Sequence, residues 1–202
     1  MGTRNLTAVY KDGDFKVAQY GQWDGYPSGN GLIILRFLRE KWDQLKDVID
    51  NVRWLDAEKY EKECAEEGFN EDGMLTLHES ERFNKRFPLL TRDLGASILE
   101  AIVDRGGNVE LVNSASFAYD SLFCEWAYCV NFDDKTLEVY SGFTSVDDDY
   151  DMGVFAQVDG EAGQDHRGKY GGINKVAVYP LDDLPSDDQF LAGLEETEEE
   201  VA

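Results

Sequence analysis

Residues 4–20 read RNLTAVYKDGDFKVAQY, and this stretch decides the fold class. Two runs rich in apolar and aromatic residues flank an Asp-Gly pair, a strong short-range signal for a β-hairpin. We therefore expect two antiparallel strands that are joined by a tight turn at residues 11–14. Side chains alternate between the two faces of a strand, so Phe15 and Val17 are predicted to share a face.

A second hairpin is predicted where residues 124–132, CEWAYCVNF, precede DDK and then residues 136–140, TLEVY. Further short strands are expected at 154–158 and 175–179. Apolar residues recur at spacings of three and four over 32–52, which predicts a helix there. A more polar helix is expected over 56–67 with Gly68 at its end, and another after the cap at 91–93. The pattern predicts an α+β fold: a mainly antiparallel sheet built from hairpins and packed against two or three helices.

The charge is uneven along the chain. The 202 residues suit one domain, and 42 Asp and Glu against 19 Lys and Arg give a formal net charge of −23. Residues 181–202 hold nine of the acids and no Lys or Arg, which leaves −14 for residues 1–180. We expect a single domain over 1–180 and an acidic, disordered tail over 181–202.

Several classes of protein are excluded by these observations. No run of about 18 apolar residues is present, so we expect no membrane association. The first residues lack the apolar segment of a signal peptide, and three cysteines form no even-numbered disulfide framework, so we expect a cytoplasmic protein. Such acidity argues against direct nucleic-acid binding but permits a basic protein partner.

The sequence offers little for metal, cofactor or nucleophilic chemistry. Asp147, Asp149 and Asp151 alternate as in a calcium loop, but Met152 and Val158 replace the Gly and Glu that such a loop requires. We therefore expect no metal site. Neither a complete phosphate-binding Gly-x-x-x-x-Gly-Lys-Ser/Thr loop nor a Gly-x-Ser-x-Gly elbow occurs, since Tyr170 follows the Gly168-Lys169 pair, and no cofactor is expected. Whether the protein is an enzyme stays open at this point.

The loop at residues 21–31, GQWDGYPSGNG, is the strongest candidate for a binding site. Its glycines and proline define the backbone shape, while Gln22, Trp23, Asp24 and Tyr26 supply hydrogen bonds and flat apolar surface. Binding residues are common on loops that rigid elements hold in place. The alternative is a tight connection in which the aromatic side chains cover the core.

Antiparallel pairing of the first hairpin brings the start of its first strand close to this loop. The candidate ligand-binding residues are Arg4, Asn5, Gln19, Gln22, Trp23, Asp24 and Tyr26. Arginine suits a phosphate or carboxylate, amides donate and accept hydrogen bonds, and the aromatic rings can stack on a flat ligand. This set would suit a nucleotide-like or aminoacyl molecule. Alternatively, an internal salt bridge between Arg4 and Asp24 closes the loop.

Four segments resemble an uncharacterised family of short cytosolic proteins of phages, bacteria and fungi. The segments are MGTRNLT at 1–7, VAQYGQWDGYP at 17–27, CEWAY at 124–128 and TLEVY at 136–140. This resemblance implies no particular activity. The early strand pair followed by a polar loop also resembles the start of N-terminal-nucleophile hydrolases. That resemblance implies an exposed Cys, Ser or Thr at the first position, whereas Gly2 follows Met1 here and Thr3 comes one residue later.

These observations support three hypotheses. The first is a non-catalytic protein that binds a small polar, nucleotide-derived molecule. The second is an acidic, phage-encoded inhibitor that binds a host defence or nucleic-acid enzyme through protein contacts. The third is an amidohydrolase of the N-terminal-nucleophile type.

Overall fold

The computed structural model describes residues 2–68, 77–159 and 168–201. Its strands and helices alternate irregularly along the chain. In chain order they are β1 (Asn5–Lys11), β2 (Asp14–Gly21), α1 (Leu32–Val48), β3 (Arg53–Trp54), α2 (Ala57–Glu67), α3 (Leu77–Arg86), α4 (Ile98–Asp104), β4 (Glu110–Leu111), β5 (Trp126–Asn131), β6 (Thr136–Ser141), β7 (Asn174–Pro180) and α5 (Asp187–Val201).

The two predicted hairpins lie side by side in one five-stranded sheet with the order β2-β1-β5-β6-β7. Strands β1 and β5 pair in parallel at the centre, and every other pair in this sheet is antiparallel. The prediction of an α+β fold with a mainly antiparallel sheet is therefore confirmed. A separate ribbon of two short parallel strands, β3 and β4, lies outside this sheet.

Both faces of the central strands are buried. On one face Val9, Trp126 and Tyr128 belong to a core that also takes in the apolar sides of α1, α4 and α5. On the other face Ala8 and Cys129 pack in a second core, which short 3₁₀ turns at Ala115–Tyr119 and Gly153–Gln157 cover. Strands buried on both sides read as nearly continuous apolar runs, as β1 and β5 do.

A bulge in the first hairpin changes the predicted alternation. Val9 pairs with Val17, but Tyr10 pairs with Phe15, so Lys16 is the extra residue on β2. The bulge places Phe15 in the second core, with its ring 5.3 Å from that of Tyr10, while Val17 faces the first core. The prediction that Phe15 and Val17 share a face is therefore wrong.

The acidic C-terminal segment differs from its prediction as well. Helix α5 spans Asp187–Val201, and Phe190 and Leu194 are buried in the first core. The ring of Phe190 lies 5.3 Å from that of Tyr179 on β7, and Arg36 and Arg39 of α1 both pair with Asp187. Phe190 and Leu194 are four residues apart and therefore lie on one face of the helix. Burial of these two side chains holds the acidic segment on the core, so it is not the disordered tail that composition predicts.

Two local predictions also fail. The proposed cap at 91–93 does not begin a helix, because a 3₁₀ turn at Gly95–Ser97 precedes α4. The strand expected at 154–158 is the 3₁₀ turn whose Phe155 fills the second core. Among the helices of the described residues, none combines the length and the apolar character that crossing a membrane requires.

Candidate functional site

The loop at residues 21–31 is held by buried polar side chains, from the core beneath it and from the loop itself. The amides of Asn5 and Asn30 both donate to the carbonyl oxygen of Trp23, at 3.1 and 2.9 Å. The hydroxyl of Tyr128 donates to the carbonyl oxygen of Gly25 at 2.8 Å. Asn5, Asn30 and Tyr128 are each at most 4% exposed, so these bonds are shielded from water and fix the loop backbone.

Main-chain bonds add to this restraint. The Gly25 amide donates to the Thr3 carbonyl oxygen at 3.1 Å, and the Gln22 amide donates to that of Arg92 at 2.8 Å. A Cβ atom at Gly25 would lie 2.7 Å from the Thr3 oxygen, so no larger residue fits there without a shift. The loop is therefore a rigid platform before any ligand arrives.

Three of the candidate ligand-binding residues make internal hydrogen bonds that support this platform. Asn5 is fully buried, and its amide also contacts the carbonyl oxygens of Thr3 and Gly21 at 3.4 and 3.3 Å. Gln19 is 6% exposed and donates to the Tyr20 carbonyl oxygen at 3.1 Å. The Gln22 side chain accepts from the Tyr20 hydroxyl at 2.6 Å. Asn5 and Gln19 are therefore buried in internal bonds, whereas Gln22 is half-buried and its internal bond uses the side-chain oxygen.

The aromatic and acidic candidates do face solvent. Trp23 is 46% exposed and Tyr26 is 54% exposed. The Trp23 indole N–H donates to Asp93 at 2.8 Å, which holds the ring in one orientation. Asp24 is exposed, and the described residues contain no ion pair between it and Arg4. The alternative in which these two charges close the loop is therefore wrong.

Arg4 lies beside this loop, at the start of β1. Its guanidinium carbon is 4.4 Å from the centre of the Phe123 ring, a cation–π contact. Its backbone N–H donates to the Glu125 carboxylate at 3.2 Å. Burial raises the pKa of the nearby Tyr20 hydroxyl, and the positive charges of Arg4 and Arg92 oppose part of that rise. This end of the sheet therefore holds the two cations Arg4 and Arg92 together with the carboxylates of Asp24, Asp93 and Glu125.

Strand register brings exposed rings from three segments to the same end of the sheet. Gly21, Asn5, Trp126 and Ser141 form one row across β2, β1, β5 and β6. Strands β1 and β5 begin at this row, and strands β2 and β6 end there. The exposed rings that lie two or three residues past it, which we call the aromatic rim, are Trp23, Phe123 and Phe143. Arg4 precedes β1, which lies between β2 and β5, the strands next to Trp23 and Phe123. Its guanidinium contacts the Phe123 ring directly.

Backbone strain is found at the same end. Asp24 has a φ of +54° and Phe143 a φ of +58°. Asp and Asn tolerate this left-handed region, but a bulky aromatic residue seldom adopts it. Such conformations cost about 1–3 kcal/mol each and are concentrated at functional sites. The Phe143 amide donates to the Ser121 carbonyl oxygen at 2.7 Å, which helps to hold the strained residue in place.

Sequence reasoning missed several members of this site, namely Tyr20, Arg92, Asp93, Phe123, Glu125 and Phe143. Most come from segments more than 60 residues away from the loop, and the parallel pairing of β1 with β5 brings two of them close. Nothing local in the sequence indicates that pairing.

The described residues offer little for catalysis. Burial raises the pKa of the Cys124 and Cys129 thiols well above the ordinary value, so both stay protonated and weakly nucleophilic at neutral pH. Thr3 is only 3% exposed. No group of three or more His, Cys, Asp or Glu side chains suited to a metal ion occurs within the described ranges.

Comparison of the chain with protein-family models, with curated proteins and with solved structures finds no match.

Proposed function

We propose that the protein is a cytoplasmic binding protein for a small polar molecule with a flat ring, of nucleotide-like chemistry, and that it does not transform this ligand. The observation that carries the proposal is the aromatic rim around Arg4 at one end of the sheet. Aromatic faces stack on a planar ring, and an arginine fork binds a phosphate or carboxylate at two points. The site is close to rigid, which lowers the entropy lost on binding.

Two arginines at this end of the sheet support an anionic group on the ligand. Residues 1–31 contain Arg4, Lys11 and Lys16 against Asp12, Asp14 and Asp24, so this part of the chain is neutral although the whole chain carries −23. Arg92 adds a further positive charge beside Tyr20. The site also holds the carboxylates of Asp24, Asp93 and Glu125, so an anion would have to bind directly on the guanidinium groups. Exposed charges farther away than about 10 Å are largely screened at physiological salt.

Fluorescence of the tryptophans provides a direct test. Wild-type protein would be titrated with AMP, GMP, CMP and UMP and with the corresponding uncharged nucleosides. We expect at least one nucleotide to quench the Trp23 emission, with the nucleoside binding at least about tenfold more weakly because it lacks the charge-assisted bonds. The quenching should disappear in Trp23→Phe, which keeps an aromatic face but removes the reporter.

Two arginine variants separate a site effect from a charge effect. Arg4→Gln should weaken binding at least about tenfold, whereas Arg36→Gln removes the same charge from an exposed position on α1 and should leave binding unchanged. Binding of none of the nucleotides, or equal affinity in wild type and Arg4→Gln, would refute the proposal.

The charge of the chain favours a second candidate, the acidic inhibitor. With 42 acids and 19 Lys and Arg, at least 23 acids lack a cation of the same chain for one-to-one pairing. A partner with a basic groove would therefore bind with strong electrostatic steering. If the protein acts in this way, capture of the partner enzyme should fall steeply between 50 and 500 mM salt. Capture that salt leaves unchanged would count against this candidate.

The hydrolase alternative has weaker support. It needs an accessible nucleophile at the start of β1, but Thr3 is buried and its carbonyl oxygen accepts from the Gly25 amide. For this reason we favour binding over hydrolysis at this site.

A further inference from the structure

A cleft of about 700 Å³ lies beside the β3/β4 ribbon, away from the aromatic rim. Its walls come from the ribbon, from α2, from the segment after α3 and from the loop between α4 and β4. Neither Arg4 nor any member of the aromatic rim lines it. Its volume falls within the range of about 300–1,000 Å³ that is typical of small-molecule sites.

The charge of this cleft is opposite to that of the whole chain. Four cations line it, namely Arg53, Lys59, Arg86 and Arg105, against the two carboxylates of Glu63 and Glu110. Two of these cations are neutralised within the walls, since Lys59 pairs with Glu110 at 2.7 Å and Arg86 pairs with Glu63. The cleft therefore carries a net charge of +2 in a protein whose net charge is −23.

Arg53 and Arg105 account for this excess. Arg53 donates through Nη1 alone, to the carbonyl oxygens of Asp50 and Val52 at 2.6 and 2.8 Å. Arg105 also donates through Nη1 alone, to the carbonyl oxygen of Ala101 at 3.2 Å. Within the described part of the chain neither guanidinium has a carboxylate partner, so each keeps Nε and Nη2 donors for a ligand.

Both arginines are anchored by their backbones. The Arg53 amide donates to the Val109 carbonyl oxygen at 3.0 Å, at the start of the β3/β4 ribbon. The loop that follows Arg105 is held by Asn51, whose side chain donates to the Gly106 carbonyl oxygen at 3.0 Å. At Gly107, with a φ of +75°, a Cβ atom would lie 2.0 Å from the Val48 oxygen, so this tight approach requires glycine.

The rest of the lining is mainly apolar. These residues are Leu55, Phe87, Pro88, Leu89, Leu90 and Val109. These six apolar residues share the fourteen-residue lining with six charged residues and two asparagines, so the walls offer contacts both to an apolar ring and to an anionic group. We propose that this cleft binds a small organic anion, in which a phosphate or carboxylate lies on Arg53 and Arg105 and a ring-sized apolar body lies against the leucines.

Phenyl phosphate is a suitable probe, because it combines a ring with a dianionic phosphate. Its binding to the full chain would be followed by amide chemical shifts in ¹⁵N-labelled protein. We expect shifts at Arg53 and across residues 105–110. Inorganic phosphate and phenol, which each carry half of the probe, should both bind more weakly than phenyl phosphate. Benzoate replaces the phosphate with a carboxylate, so comparing its affinity with that of phenyl phosphate identifies the preferred oxyanion.

Four variants complete the experiment. Arg53→Gln and Arg105→Gln should each weaken phenyl phosphate binding about tenfold, the loss expected for one charge-assisted hydrogen-bonding group. Arg36→Gln is the charge-matched control and should bind as wild type does. The amide spectrum of each variant reports whether it is folded. The proposal is overturned if neither phenyl phosphate nor benzoate shifts these amides, or if the double variant Arg53→Gln/Arg105→Gln binds both probes with wild-type affinity.

Discussion

Asn5→Asp tests whether Asn5 supports the loop from within or is available to a ligand. The change is nearly isosteric, but it replaces an amide that donates to three carbonyl oxygens with a second oxygen. Asn5 is 0% exposed, so a carboxylate at this position would lack both water and a hydrogen-bond donor. The side chain must therefore take up a proton in the folded state.

The size of the effect follows from this protonation. An aspartic acid has a pKa of about 3.9 in an unfolded chain, so burying it in the neutral form at pH 7 costs about 4 kcal/mol. The single O–H can replace one of the amide bonds. The other two are long, at 3.3 and 3.4 Å, and losing them adds about 1 kcal/mol. We expect a total loss of about 5 kcal/mol in the free energy of unfolding at pH 7.

The sign of the pH dependence is a further check. Since burial raises the folded-state pKa of the new carboxyl above its unfolded value, the penalty is absent below the unfolded pKa and grows as the pH rises. The difference between Asn5→Asp and wild type should thus shrink from about 5 kcal/mol at pH 7 to about 1 kcal/mol near pH 4. Urea unfolding of both proteins at several pH values, followed by circular dichroism, measures it.

Asn113→Asp is the matched control. Asn113 is exposed, and its side-chain oxygen, which the substitution keeps, accepts from the Ala115 amide at 3.0 Å. A change below about 0.5 kcal/mol is expected. Our reasoning is refuted if Asn5→Asp costs less than about 1 kcal/mol at pH 7, or if its cost does not fall toward pH 4. Stability close to wild type with altered nucleotide binding would instead identify Asn5 as a ligand contact.

Two further predictions concern the C-terminal helix and the cysteines. Phe190→Ala should lower the free energy of unfolding by about 3–5 kcal/mol, since it empties a fully buried position; a loss below about 1 kcal/mol in urea unfolding would show that α5 does not pack on the core. In native protein at pH 8 a thiol-reactive dye should label only the half-buried Cys64, because burial keeps Cys124 and Cys129 protonated and shielded. All three should react in urea, and labelling of more than one thiol in the folded state would contradict the structure.

Much of the fold could be predicted because its signals are local. The turn after Lys11, the helical period from Leu32 and the glycine at 68 each act over a few residues, and the structure contains the expected hairpin, helix and helix end. The errors occurred where distant contacts outweigh local preference. Phe155 lies in a 3₁₀ turn because it fills a space next to Phe15 and Tyr140, and Phe190 draws an acidic segment onto the core.

The candidate site could be predicted only in part. The loop with Trp23, Asp24 and Tyr26 is recognisable because turn residues and exposed aromatic rings occur together in one short stretch. The role of Asn5 could not be predicted. An asparagine that binds a backbone carbonyl oxygen and an asparagine that binds a ligand look the same in a sequence. Exposure and hydrogen-bond partners distinguish the two, and both depend on the surrounding structure.

By itself, the sequence determined the hairpins, the main helices, the excess of negative charge and the position of the exposed loop. These depend on side-chain period, turn chemistry and composition, which neighbouring residues specify. Only the tertiary structure decided that Phe123 contacts Arg4, that Phe143 lies at the same end of the sheet, and that Arg53 and Arg105 share a positively charged cleft. Each of these arrangements joins segments far apart in the chain through strand pairing and packing, and no local pattern encodes such pairings.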